Sequence, residues 1–210
     1  MFITLEGIEG CGKTTQLNHL RTFFENRGQP CVLTREPGGT AIGKEIRSIL
    51  LNPASGDMVP KAELLLYMAD RAQHIASLVK PSLAEHKVVL CDRYFDATVV
   101  YQGFARGLDP HFVSELHRLV LEDFKPDITL LLDLSPLVGL ARAWKQLDNG
   151  TRCGSESRFE EETLSFHEKV RAGYLELARR EPKRFRTIDA AGDEMQVQED
   201  IRRVLREILK

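Results

Sequence analysis

Short runs that are apolar throughout alternate with longer stretches whose apolar residues recur every three or four positions, and the alternation persists along the whole chain. Five runs read as buried strands, at residues 2–6, 31–35, 88–91, 128–132 and 185–189. The amphipathic stretches predict helices over about 12–27, 40–51, 60–86, 95–103, 110–123, from Pro136 onward, 158–180 and 194–209. Gly28 closes the first helix, and Pro37-Gly38-Gly39 separates the second strand from the second helix. Pro81 removes a backbone donor inside the longest pattern and predicts a bend there. Pro136 suits the first turn of a helix. Residues 148–157 are polar and carry glycines, which predicts a mobile loop.

Strands without polar alternation, each separated from the next by helix, imply a parallel sheet covered on both faces. The expectation is one domain over 1–210: a three-layer α/β/α architecture with a five-stranded parallel sheet. No linker, internal repeat or low-complexity segment interrupts it.

Composition changes this picture little. Of 210 residues, 42% are hydrophobic and 29% charged, near the averages for soluble domains, which argues against disorder. A formal net charge of −2 rules out a protein that coats polyanions but permits a local basic site. The cysteines Cys11, Cys31, Cys91 and Cys153 have no metal-ligand spacing and read as small core or loop residues. The six histidines, His111 and His117 among them, show none either, and Trp144 reads as helix packing. The first residues lack a basic n-region, and no apolar stretch approaches the ~20 residues a membrane span needs. A reduced, cytoplasmic enzyme is expected, without nucleic-acid or membrane contact.

The chemistry enters at Gly7-Ile8-Glu9-Gly10-Cys11-Gly12-Lys13-Thr14, followed by Thr15. This phosphate-loop pattern lies between a predicted strand and a predicted helix, the context it requires. Its glycines let the backbone approach phosphate oxygens, and the N–H groups of the helix start favour negative charge. Lys13 can reach the β- and γ-phosphates of a nucleoside triphosphate, and the Thr14 hydroxyl can ligate Mg²⁺. Two strands end in acids, Asp92 and Asp133, at the carboxyl edge where ligands gather in such sheets. Asp92 can hold Mg²⁺ or form a structural pair with Arg93; Asp133 can serve the site or cap the helix after Ser135 and Pro136.

Further segments resemble thymidylate kinases of the bacterial type: Thr34-Arg35-Glu36-Pro37-Gly38-Gly39-Thr40, Tyr67-Met68-Ala69-Asp70-Arg71, Asp92-Arg93-Tyr94, Tyr101-Gln102-Gly103, Leu132-Asp133-Leu134-Ser135-Pro136 and Gly173-Tyr174-Leu175. They run in family order from the first strand to Asp189. The resemblance implies a P-loop kinase fold, commonly homodimeric, with a short lid over about 142–160. It also implies transfer of the γ-phosphoryl of ATP to dTMP, giving dTDP and ADP for dTTP biosynthesis, assisted by Mg²⁺ and without a covalent intermediate.

On the matching positions, Glu9 looks like the acceptor for the sugar 3′-hydroxyl, Tyr67 like the plate stacked on thymine, and Arg71 like the donor to its O4. Tyr67 and Arg71 are four residues apart and so share a helix face; core packing and a surface ion pair are their plainer readings. Arg93 looks like the cation on the acceptor phosphate, Arg35 and Arg47 are weaker candidates for the same anion, and Glu36 is expected in the dTMP site; for Arg47 a helix-surface charge is the plainer reading. Thr98 and Gln102 match polar positions near the base, and Tyr101 matches an aromatic that crowds the sugar 2′ carbon.

One branch of the family carries an arginine inside the phosphate loop, which this chain lacks. The other supplies it from the lid, here Arg142, Lys145, Arg152 or Arg158. The familiar lid pattern, Asp-Arg-hydrophobic-Glu, stands here as Ser157-Arg158-Phe159-Glu160, which favours Arg158 over Arg152 for the transferring phosphate. Arg142 is expected against adenine. A solvated charged loop is the plainer reading of this segment. Two rivals remain: a kinase of the same fold with another acceptor, and a P-loop switch protein that binds ATP without chemistry.

Overall fold

The computed structural model describes residues 1–150 and 154–209. Its sheet contains β1 (Phe2–Glu6), β2 (Cys31–Arg35), β3 (Val88–Asp92), β4 (Ile128–Asp133) and β5 (Phe185–Asp189) in the order β2-β3-β1-β4-β5. Every pairing is parallel. After β1 the chain fills one side of the sheet through β2 and β3, then crosses to the other through β4 and β5. The loop after β1 therefore opens at the point where the winding reverses, the crevice in which doubly wound sheets bind ligands.

Alternate residues of each strand face opposite layers. Ile3, Leu5 and Leu90 join a cluster with Leu17, Leu20 and Phe24 of α1 (Lys13–Glu25). Phe2, Val89 and Cys91 pack the other way, against Ile75, Val79, Tyr94 and Phe95. Burial on both faces is why these strands lack the polar alternation of a half-exposed sheet. The remaining helices are α2 (Ala41–Leu51), α3 (Pro60–His74), α4 (Lys80–Ala84), α5 (Phe95–Thr98), α6 (Pro110–Leu121), α7 (Pro136–Asp148), α8 (Leu164–Arg180) and α9 (Glu194–Ile208).

Two differences from the expected elements matter. A π-helical turn, Ile75–Val79, joins α3 to α4 just ahead of Pro81, and a second, Val99–Ala105, continues α5. A widened turn accommodates the proline ring without ending the helical path, and the second such turn carries Tyr101 and Gln102. The second difference is that α8 begins at Leu164 rather than near 158. Thr163 caps it by accepting from Phe166 N at 3.2 Å. The residues before Thr163 are drawn inward instead: the Phe159 ring lies 5.4 Å from that of Tyr101, edge to face.

Candidate active site

The phosphate loop is shaped by what its neighbours leave open. Gly10 has φ 68°, and a Cβ there would collide with the Gly139 carbonyl of α7. Gly12 has φ 93° in open space, so its requirement is backbone conformation alone. No side chain caps α1 and no acid stands in its first turn, which leaves its leading N–H groups for an anion. Lys13 is buried, and its Nζ donates to the carbonyls of Ile8 at 2.8 Å and Gly7 at 3.2 Å. The ammonium is thus folded over the loop it serves. The sulfur of Cys11, also buried, lies 3.5 Å from it. Thr15 is exposed on the same first turn.

The two acid-tipped strands separate clearly. Asp92 is in register with Leu5, and Thr14 Oγ1 donates to its Oδ2 at 3.4 Å. Two oxygens so close to the helix start suit a hard divalent cation. No group of three or more metal-binding side chains occurs among the described residues, so the remaining ligands would be phosphate oxygens and water. Asp133 instead forms a two-pronged ion pair with Arg171 of α8, at 2.7 and 2.9 Å. Ser135 makes no side-chain cap on α7.

Arg93 links the loop to a neighbouring cleft. Its φ of 67° lies in the left-handed region, uncommon for a residue with a Cβ, and such strain clusters at functional sites. Nη1 donates to the Gly7 carbonyl at 2.9 Å, and Nη2 to Glu9 Oε1 at 2.8 Å. The guanidinium also sits 4.9 Å from the centre of the Tyr101 ring. Glu9 accepts from Tyr101 Oη at 2.6 Å as well, and His167 Nδ1 lies 3.2 Å from its other oxygen. Burial alone would raise the Glu9 carboxyl, but Arg93, His167 and Lys13 outweigh it and hold the group well below the usual carboxylate range.

The cleft is lined by Tyr67, Arg71, Arg93, Thr98, Tyr101 and Gln102, together with Glu9 and Glu36. Arg71 is 1% exposed and fully tethered. It donates to Glu36 Oε2 at 2.6 Å, Thr98 Oγ1 at 3.0 Å and the Tyr94 carbonyl at 3.2 Å. The other Glu36 oxygen pairs with His74 Nδ1 at 2.8 Å. Glu36 therefore aims Arg71 from beneath. Burial pushes the Tyr67 phenol up, and the neighbouring Glu63 adds to it, so the ring presents a neutral face to the cleft. Asp70 donates nothing and accepts from Gly38 N at 3.0 Å; burial and then Glu36 raise its carboxyl to about 6.

A phosphate loop stands here beside a cleft lined by Tyr67 and Arg71, in a chain with known relatives. The family model for thymidylate kinase matches residues 5–201. The chain belongs to the thymidylate kinase family. It is 58% identical over 197 residues to a thymidylate kinase of Desulfosudis oleivorans, covering 94% of this chain and 92% of the relative. It is 50% identical over 210 residues to one of Nitratidesulfovibrio vulgaris, covering 100% and 97%. The crystal structure of thymidylate kinase from Ehrlichia chaffeensis superimposes with a TM-score of 0.78 at 34% identity, over 98% of both chains.

Against the family pattern, other expected site residues take definite places. Arg47 is not a plain surface charge: it grips both oxygens of Glu156, at 3.0 and 2.8 Å, and donates to the Pro37 carbonyl, so it ties α2 to the turn at Gly154–Glu156. Arg142 donates to the Ala190 carbonyl at 3.2 Å, on the helix whose Gly139 abuts the phosphate loop. Arg35 ends β2 exposed and is not among the cleft residues. Arg158 departs from its expected place. It is buried, with Nη2 2.6 Å from Glu63 Oε2 and Nε on the Leu50 carbonyl, so its partners lie on α2 and α3 rather than the phosphate loop. Arg152 lies outside the described residues.

Sequence reasoning passed over Glu63, His74, His167 and Glu6. Glu63 and His74 share one face of α3 with Tyr67 and Arg71, so a polar face on an otherwise core-facing helix was the available signal. Glu6 and His167 gave no local signal, because their partners come from distant elements: Tyr174 Oη reaches Glu6 at 2.7 Å.

Proposed function

We propose that this enzyme transfers the γ-phosphoryl of ATP to dTMP, forming ADP and dTDP. The observation that carries it is Arg93, which touches the phosphate loop at Gly7 and the acceptor cleft at Glu9 and Tyr101 through a single guanidinium. A group so placed meets both the incoming and the departing phosphate.

ATP would rest with its β- and γ-phosphates on the amides of residues 7–15 and on Lys13, whose carbonyl contacts a phosphate replaces with stronger charge-assisted ones. Adenine lies toward Arg142. In the cleft Tyr67 stacks on thymine, Arg71 donates to O4, Glu9 meets the sugar 3′-hydroxyl, and Tyr101 fills the place of a 2′-hydroxyl. The acceptor phosphate oxygen is already anionic, so the chain needs no general base and no covalent intermediate; what it supplies is alignment and positive charge. Thr14 and Asp92 fit the protein's share of a Mg²⁺ site, and the ion would supply charge neutralisation across the β- and γ-phosphates. The lid contributes the last cation, Arg152 or Arg158; Arg158 must leave Glu63 to serve.

The enzyme works, on this reading, in the cytoplasm and as a homodimer. Ile42 and Ile49 of α2, Leu65 of α3 and Leu119 of α6 are exposed apolar residues on helices that pack together, which supports pairing of two copies through that layer. Sedimentation showing only monomer at micromolar protein would remove the dimer.

The activity is tested by ADP formation with ATP, Mg²⁺ and each nucleoside monophosphate in turn. The expected result is strong preference for dTMP, reduced in Arg71→Ala. Equal rates across acceptors would point to another kinase of this fold, and ADP release indifferent to any acceptor would point to an ATP-driven switch.

A further inference from the structure

Glu63 is a carboxylate with no exposed surface, and no step above uses it. Its oxygens collect three donors from three places. Arg158 Nη2 lies 2.6 Å away in the lid segment, Arg106 approaches at 3.3 and 3.4 Å, and Gln102 Nε2 donates to Oε1 at 2.6 Å. Gln102 itself is 1% exposed and lines the cleft. An amide side chain has a donating end and an accepting end, and ordinarily a half-turn about its last bond can exchange them. Here the exchange is blocked. A carboxylate facing two guanidiniums accepts and does not donate, so only the NH₂ end of Gln102 can face it. The end left for the cleft is the carbonyl oxygen Oε1.

We propose that Glu63 is a positioning residue for base selection: by holding the Gln102 amide in one orientation, it makes the cleft present an acceptor beside the donor of Arg71. The proposal rests on the reading that the cleft takes a pyrimidine base. A thymine offers a carbonyl at position 4 and an N–H at position 3, the complement of that pair. A cytosine offers an amino group and a bare nitrogen, the reverse at both places. Arg71 is fixed as a donor by Glu36, and Gln102 is fixed as an acceptor by Glu63. Glu36, in the cleft wall, thus fixes where the donor stands, and Glu63, outside it, fixes which end of the Gln102 amide faces the base. Leaving a buried donor or acceptor unpaired is costly, which is why such an edge discriminates more strongly than shape alone.

The test compares dTMP with 5-methyl-dCMP, which keeps the methyl group and changes only positions 3 and 4. In wild type kcat/KM should favour dTMP strongly. In Glu63→Gln, residue 63 can donate as well as accept, so the Gln102 amide is free to turn. The dTMP to 5-methyl-dCMP ratio of kcat/KM should then fall at least tenfold. A role confined to holding the lid or the fold would lower kcat/KM for both acceptors alike and leave the ratio unchanged, which overturns the proposal. If wild type itself shows no preference, the thymine reading of the cleft fails instead. A second measurement needs no variant at Glu63. In ¹⁵N-glutamine-labelled wild type, the Gln102 side-chain amide protons should exchange slowly with solvent before and after dTMP is added. Fast exchange that becomes slow only with dTMP would show the NH₂ facing the ligand and sink the idea.

Discussion

Arg93 Nη2 stands 2.8 Å from Glu9 Oε1, joining the residue after β3 to the middle of the phosphate loop. The two ends of the phosphoryl path are therefore preassembled. Arg93 is held by the strained backbone at its own position and by carbonyl and carboxylate acceptors. A donor held in this way need not be reoriented as charge develops on the phosphoryl group, which is the condition for electrostatic catalysis.

Arg93→Ala should lower kcat by roughly 10³-fold, the scale seen when an arginine on a transferring phosphoryl group is removed. It also leaves Glu9 buried beside a missing partner, so stability should fall by about 3 kcal/mol. Steady-state rates and urea melts on one preparation separate the two effects. A variant with near-normal kcat would show that Arg93 is only a brace.

Asp92 and Asp133 end the two strands that flank β1 and should behave oppositely. Asp92→Asn removes a charge beside Thr14 and should cost about a hundredfold in kcat, an effect that extra Mg²⁺ partly relieves. Asp133→Asn breaks the pair with Arg171, which is partly exposed, and should cost about 1 kcal/mol of stability with kcat nearly unchanged. Equal loss of kcat in both variants would contradict the distinction.

Glu6 sits fully buried at the end of β1, where burial first, and then Asp96, raise its carboxyl to about 8. The folded chain binds that proton more tightly than the unfolded one. The associated stability is complete below the ordinary carboxylate pKa and is lost as pH rises toward 8. Glu6→Gln cannot ionise, so its Tm should fall less than that of wild type between pH 5 and 8. Parallel Tm profiles would show that Glu6 is ionised throughout.

Arg184 fixes Asp96 from outside the catalytic region, with contacts of 2.6 and 2.8 Å to its two oxygens and a further bond to Thr129. Arg184→Ala should destabilise the fold by roughly 3–5 kcal/mol, because it strands a buried carboxylate. The kcat of the surviving folded fraction should stay within about twofold of wild type, because neither Arg184 nor Asp96 lines the cleft.

The strands, the helices and the phosphate loop could be read directly because each rests on local pattern: continuous apolar runs, helical spacing, and glycines at fixed intervals before Lys13. Tyr67, Arg71 and Gln102 came from the family resemblance, and the cleft brings them together. What stayed hidden is the layer beneath. Glu36 under Arg71, Glu63 under Gln102, and Arg158 turned toward Glu63 all depend on partners 35 or more residues away in sequence, which no local spacing encodes. The late start of α8 has the same origin. Phe159 and Arg158 continue a helical pattern in sequence, but burial against Tyr101 and Glu63 overrides it.

The most direct test follows the phosphoryl group itself. Wild type incubated with γ-³²P-labelled ATP, Mg²⁺ and dTMP should place the label on dTDP, with one ADP formed per dTDP and none released as free phosphate. In Lys13→Met the transfer should drop by at least about a hundredfold while the fold persists. Label that stays in ATP, or passes to water whether or not dTMP is present, would contradict the account.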